Sequence, residues 1–173
     1  MIVRAQQPGN GNYLPAGVVD DSGPAAQGPA VPGRPLTVGS GVQVHAPEGW
    51  SVVKSQDGLL GLGKGSAVII VQALPYAGTL EQFEAAYREA DLGSSGAGSD
   101  PQQDTFGRGI PSLVVVYSIV SSDSGPVDGE YVVGLQDGIG IIVDLVTPPG
   151  SRGRYADDAG VLLASVSING GGR

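Results

Sequence analysis

The chain of 173 residues carries 17 acidic against 9 basic side chains, a net charge of −8 at neutral pH, and no cysteine. Its lysines and arginines are scattered, so the electrostatic footprint of a nucleic-acid binder is missing, and anionic lipid headgroups would repel the surface. Disulfides and thiolate metal sites are excluded outright, and the length fits one domain with a sizeable core.

Residues 1–36 are rich in Pro, Gly, Ala and Gln and show no hydrophobic period. Such a stretch buries too little apolar surface to offset its ordering entropy and reads as a linker, the alternative being an extended strap along the domain. The opening MIVRAQQPGNGNYLPAG resembles the remnant of a membrane anchor and its tether more than a natural amino terminus. No run approaches the roughly 18 apolar residues of a membrane span, which predicts a soluble chain.

From Leu36 the pattern changes to short strands, and the domain is predicted over 37–173. Val38, Val42 and Val44 lead to a Pro47-Glu48-Gly49 turn, after which Trp50–Lys54 reads as the returning strand of a hairpin. Gln56-Asp57-Gly58 makes the next turn, followed by GLLGLGKG and the apolar run SAVIIVQAL. Thr79-Leu80-Glu81-Gln82 fits a capping box, and Leu80, Phe83, Tyr87 and Ala90 then share a helical face. Glu84 and Arg88 form an i,i+4 pair predicted on the exposed side. LGSSGAGSD reads as a loop.

In IPSLVVVYSIV both alternation sets are apolar, which predicts a central strand covered on both faces. The loop SSDSGPVDG returns the chain into EYVVGL, and Gln136-Asp137-Gly138 turns it back through IGIIVDLVT. After Pro148-Pro149-Gly150, the residues Tyr155, Ala159, Leu162 and Val166 trace a closing amphipathic helix.

Few residues here could carry chemistry. His45, the chain's one histidine, precedes the HAPEGW turn, with no G-x-S-x-G serine and no cysteine to activate; it reads as structural. Zinc lacks a ligand set, because one imidazole and scattered carboxylates offer no ligand spacing. GLGKG, Gly61 to Gly65, lacks both the phosphate-loop spacing and a following helix, and Gly138 with Gly140 enters a strand. Asp123, Asp128 and Glu130 lie close together, but Gly125 and Val127 occupy the positions where a calcium loop needs oxygens. Asp144, a carboxylate inside an apolar run, is expected to pair with Arg108 or Arg154 or to reach solvent at a strand end.

VHAPEGW, the Thr79 helix, PSLVVVYSIV, GIGIIVDLVTPP and the terminal YADDAGVLLASVSI follow an order that resembles the PsbP-like fold. The likeness spans about residues 38–169 and is strongest to the LpqN-like envelope proteins of actinobacteria. It implies an α+β domain, an antiparallel β-sheet flanked by helices, behind the Pro/Gly-rich linker. It also implies an extracytoplasmic, cell-envelope location and mostly non-enzymatic accessory or binding roles. A lipobox cysteine is absent, so attachment through a lipid is not supported.

The expected function is a non-catalytic, membrane-tethered envelope domain that binds a protein partner or a small apolar ligand, with no nucleic acid, cofactor, metal or catalytic residue assigned. A rival is a hydrolase with an unconventional carboxylate site using Asp144 and a nearby acid. A third reading is a purely structural domain of an envelope assembly. Within the resemblance, Trp50 is a corner residue that buries its ring, with His45 its neighbour on the incoming strand.

Overall fold

The computed structural model describes residues 33–93, 97–121 and 125–169. The linker expected over 1–36 lies outside the described residues except for its last four positions, and two of these, Pro35 and Leu36, already belong to the first strand. The fold is α+β with antiparallel sheets and two helices, as the sequence pattern implied.

A small sheet joins β1 (Pro35–Gly39), β2 (Val42–His45) and β11 (Ser167–Ile168) in the order β1-β2-β11. The large sheet contains β3 (Ser51–Gln56), β4 (Leu59–Lys64), β5 (Ala67–Pro75), β6 (Ala97–Gly98), β7 (Gln102–Phe106), β8 (Ile110–Ser121), β9 (Gly125–Gln136) and β10 (Ile139–Thr147). Its order is β3-β4-β5-β10-β9-β8-β6, with β7 also paired to β8. The helices are α1 (Leu80–Asp91) and α2 (Arg152–Ser165).

Alternation along the strands divides the core between the two faces of the large sheet. On one face Val38, Val42 and Val44 of the small sheet and Ala159 and Leu162 of α2 cover Leu60, Leu62, Ile69, Val71, Ile141, Val143 and Leu145. On the other, Phe83 and Tyr87 of α1 cover Leu113, Val115, Tyr117, Tyr131, Val133 and Ile142. The mid-sheet position belongs to β10, whose residues from Gly140 to Thr147 are all buried. A strand covered on both faces reads as a continuous apolar run, and IGIIVDLV is that run.

Several boundaries differ from expectation for local reasons. Ser40 (φ 51°) and Gly41 (φ 77°) make a tight turn that separates Val38 on β1 from Val42 on β2, and β3, expected to return along β2 from the Pro47–Gly49 turn, crosses instead into the large sheet and pairs with β4. The strand read as central, β8, lies nearer the edge; Val114 and Val116 are half-buried and Val120 is 81% exposed. The return strand begins at Gly125 rather than Glu130, so GPVDG pairs with β8 instead of looping. β7 carries no strand signal in the sequence because QQDT is polar and exposed; its ladder to β8 and the buried Phe106 at its end hold it in place. Among the described residues no helix is long and apolar enough to cross a membrane.

The capping box forms as read: Gln82 donates its backbone N–H to Thr79 Oγ1 at 3.2 Å, and Thr79 N–H reaches Gln82 Oε1 at 3.0 Å. This start aims Phe83 at the bare backbone of Gly140. A Cβ at Gly140 would sit 2.6 Å from Phe83 Cζ, closer than packed carbons tolerate. Gly140→Ala is expected to push α1 off the sheet and lower stability by about 1–3 kcal/mol, the range for overpacking a core. Urea melts of the two proteins check this; an unchanged midpoint would mean that the ring moves aside freely.

Candidate binding site

The polar chemistry under α1 is built around Asp144. Its side chain projects from β10 toward the helix and is fully buried, and it accepts the Tyr87 hydroxyl at 2.9 Å and the Tyr117 hydroxyl at 2.8 Å. The expected arginine partners are elsewhere: Arg154 is on α2, across the sheet, and Arg108 is in the β7–β8 turn. The expectation of a solvated strand end fails as well. A carboxylate on a mid-sheet strand needs donors from its own face, and two phenols supply them.

Beside it, Tyr131 packs edge-on against Tyr87 with ring centroids 5.0 Å apart, and its hydroxyl donates to Glu84 Oε1 at 2.6 Å. Arg88 Nε donates to that same oxygen at 2.9 Å, and the guanidinium also reaches the Ser99 carbonyl at 2.9 Å. The Glu84–Arg88 pair therefore exists, but Glu84 is 5% exposed and faces the sheet rather than solvent. The i,i+4 spacing holds, but the face differs from expectation because Glu84 stands four residues after Leu80 and three before Tyr87, on the side of the helix that meets the sheet. Burial, and then the hydrogen bond to Glu84, push the Tyr131 phenol far above its ordinary pKa.

The HAPEGW corner is architecture tied to α2. Trp50 is 1% exposed, its N–H returns to the Pro47 carbonyl at 3.2 Å, and Gly49 supplies φ 83° in the turn. The indole Nε1 donates to Asp158 Oδ2 at 2.9 Å, and Lys64 Nζ reaches the same oxygen at 2.9 Å. Lys64, the cation of GLGKG, thus serves an ion pair, which with the Trp50 N–H holds the Asp158 carboxyl below the usual carboxylate range. His45 is exposed, and its backbone engages α2: the N–H donates to Ser165 Oγ at 2.8 Å and the carbonyl accepts from that hydroxyl at 3.4 Å.

Of the acidic trio, Asp123 lies outside the described residues. Asp128 accepts the Gly150 N–H at 2.8 Å and the Ser118 hydroxyl at 2.7 Å, bonds that hold its carboxyl below the ordinary range. Glu130 pairs with Arg152 at 2.9 Å. Both carboxylates pin the start of α2 to the β8–β9 hairpin. Gly138 (φ 74°) completes the turn with Asp137 (φ 53°), and Gly140 makes room for Phe83.

A groove of about 180 Å³ lies at the seam between the two sheets, lined by Arg108, Ile110, Gln136, Val166, Ser167, Ile168 and Asn169. Ile110 and Val166 form its apolar wall and are buried; Arg108 is exposed. Among the described residues no carboxylate lies within ion-pair distance of Arg108. The seam holds together where Gly107 N–H meets the Leu163 carbonyl at 3.1 Å. Nothing in the sequence signalled this groove, because its residues come from three separate segments and form no motif. Tyr87 and Tyr117 were read as core positions; a tyrosine in place of phenylalanine opposite a buried acid was the available signal.

No family profile and no curated protein matches the chain. Solved structures do share its fold. A protein from Bacteroides thetaiotaomicron VPI-5482 superposes with a TM-score of 0.60 at 11% identity over 83% of this chain, which spans only 51% of that protein. LpqN, involved in cell envelope biogenesis of Mycobacterium tuberculosis, superposes with a TM-score of 0.55 at 15% identity, covering 81% of this chain and 87% of that one. Cyanobacterial PsbP (CyanoP) from Synechocystis sp. PCC 6803 gives 0.54 at 13% identity, over 75% and 88% of the two chains. The fold is therefore PsbP-like, and identities this low carry the fold alone.

The tyrosine network sets an alkaline limit. Tyr131 has a folded pKa above the ordinary value near 10, so its contribution is fully present below pH ~10 and is lost as pH rises beyond it, at up to about 1.4 kcal/mol per pH unit. Tyr131→Phe should flatten that part of the stability profile between about pH 10 and 11; parallel slopes in the two proteins would refute it. On the other face, Trp50→Ala should lower stability by about 3–5 kcal/mol, as for truncation of a buried aromatic ring, read by chemical denaturation. A wild-type midpoint would contradict the corner role.

Proposed function

We propose that the chain is a non-catalytic, extracytoplasmic domain of an actinobacterial cell-envelope protein, tethered to the membrane, that binds a protein partner or a small apolar ligand. The observation that carries this reading is how Asp144 is used. The acid on which a hydrolase site would be built is fully buried, and both its oxygens accept tyrosine hydroxyls. A general acid or base has to meet substrate or water directly, and this carboxylate is spent on joining α1 to the sheet. Asp128, Glu130, Glu84 and Asp158 are likewise engaged in bonds between elements.

The fold shared with LpqN, whose work is in envelope biogenesis, supports the compartment in this reading. The acidic surface, with net charge −8, favours a protein or small molecule over nucleic acid or bare anionic lipid as partner.

Affinity capture from the native envelope, with the whole chain as bait, tests the proposal. The expected outcome is reproducible recovery of one protein or lipid, whose purified form then binds the chain in a direct titration. Hydrolysis of a panel of ester and glycoside substrates by the wild type, abolished in a folded Asp144→Asn variant, would overturn it in favour of the hydrolase.

A further inference from the structure

The groove between the sheets has the makings of a recognition site, and its dimensions narrow what it can take. Its volume of about 180 Å³ is below the roughly 300–1,000 Å³ of clefts that enclose a drug-sized ligand. It fits about one apolar side chain together with a polar group at its rim.

The groove also borders an open strand edge. In the small sheet β11 is terminal, paired on one side with β2 through Ser167–Gln43 and Ile168–Val42. The Asn169 N–H donates to the Gly41 carbonyl at 2.8 Å. Antiparallel alternation then turns the N–H and C=O of Ile168, one residue earlier, to the outer edge. Among the described residues no strand occupies that edge. Backbone groups of this kind pair readily with an added extended chain, the mode in which main-chain bonds give affinity and a side-chain pocket gives selectivity.

Arg108 decides the charge of the occupant. It is exposed at the groove, and among the described residues it has no acidic partner although acids outnumber bases 17 to 9 in the chain. Asp137, the acid adjoining the groove in sequence, accepts the Gln136 amide at 3.4 Å instead. A guanidinium beside amide side chains and an apolar wall matches a carboxylate joined to an apolar residue, which Arg holds through two parallel bonds.

The length of β11 separates a chain end from a continuous strand. With two residues, only one of which turns its backbone outward, β11 could hold little of a long ladder. A terminal residue needs just that pair of bonds, one apolar pocket and a cation for its carboxylate. Resting on the binding-module reading above, we infer that this groove captures the carboxyl terminus of a partner protein: its last, apolar side chain enters against Ile110, Val166 and Ile168, its backbone adds to Ile168, and its terminal carboxylate lies on Arg108.

Titration of the isotope-labelled whole chain followed by amide NMR, with three synthetic probes, tests this. The probes are acetyl-Ser-Thr-Val-Val as the free acid, the same peptide as its C-terminal amide, and acetyl-Ser-Asp-Val-Val as the amide. The free acid is expected to shift the resonances of Arg108, Ile110, Ser167, Ile168 and Asn169, and to bind about tenfold or more tighter than its amide, the scale of one lost charge-assisted contact. Arg108→Gln should erase that preference while leaving the thermal midpoint in place. Ile168→Pro, which removes the outward N–H at an edge position that tolerates proline, should weaken the free acid similarly.

Equal affinity for acid and amide, equal affinity for the internal aspartate probe, or shifts confined to another surface would overturn the inference. The envelope capture separates the two levels. A partner retained equally by wild type and Arg108→Gln leaves the binding module standing and removes the groove, whereas hydrolysis of the substrate panel, abolished by Asp144→Asn, removes both.

Discussion

A carboxylate placed on the mid-sheet strand is the constraint from which the rest of the structure follows. Asp144 lies with β5 on one side of its strand and β9 on the other, its side chain under α1, with no exposed surface. Left without donors it would cost several kcal/mol. The phenols that satisfy it come from different elements, Tyr87 on α1 and Tyr117 on β8. Helix α1, β8 and the mid-sheet strand β10 are thereby fixed to a common point. Apolar packing alone, being non-directional, would leave α1 freer to slide across a surface of valines and isoleucines.

The network grows outward by the same logic. Tyr131, directly opposite Asp144 on β9, turns its hydroxyl to a second buried acid and donates to Glu84, one helical turn before Arg88. Arg88 then balances Glu84 at the margin and clasps the Ser99 carbonyl in the segment leading to β7. Charge thus enters the core in steps, from a partly exposed guanidinium to a fully buried aspartate, and a hydrogen-bond partner accompanies each step. On the opposite face the same economy recurs at smaller scale: one Asp158 oxygen serves the indole N–H of the turn corner and the Lys64 ammonium of the next hairpin, locking α2 over both.

How far this could be read from the sequence depended on whether the signal was local. The Thr79–Gln82 cap, the Asp137–Gly138 turn and the apolar faces of both helices are written within a few residues and stand where the pattern put them, whereas the Pro47–Gly49 turn forms but passes the chain from the small sheet to the large one instead of closing a hairpin. Two kinds of feature escaped. Polar edge elements such as β7 carry no alternation, because neither face of QQDT meets the core. Buried polar partners are set by register: Asp144 meets Tyr117 and Tyr87 across 27 and 57 residues of chain. The sequence revealed an anomalous acid in an apolar run, but the choice between arginine and tyrosine as its partner required knowing which face it occupied.

The groove was illegible for a related reason, and its position has a structural logic. Wherever a small sheet lies over part of a larger one, their edges cannot coincide, and the misfit leaves a seam. Here β11 ends the small sheet beside the β7–β8 turn, and the Gly107–Leu163 bond closes only part of the gap. A bare edge is a hazard for self-association, and proteins limit it by keeping such strands short and placing a charge nearby. Both devices occur at this seam, in the two residues of β11 and in Arg108. They protect without abolishing the edge: in the proposed mode, a cation that discourages pairing with a generic strand would anchor a chain end that brings its own carboxylate. Protection and recognition would then be one property, since the features that keep long strands away also select a short, anionic terminus.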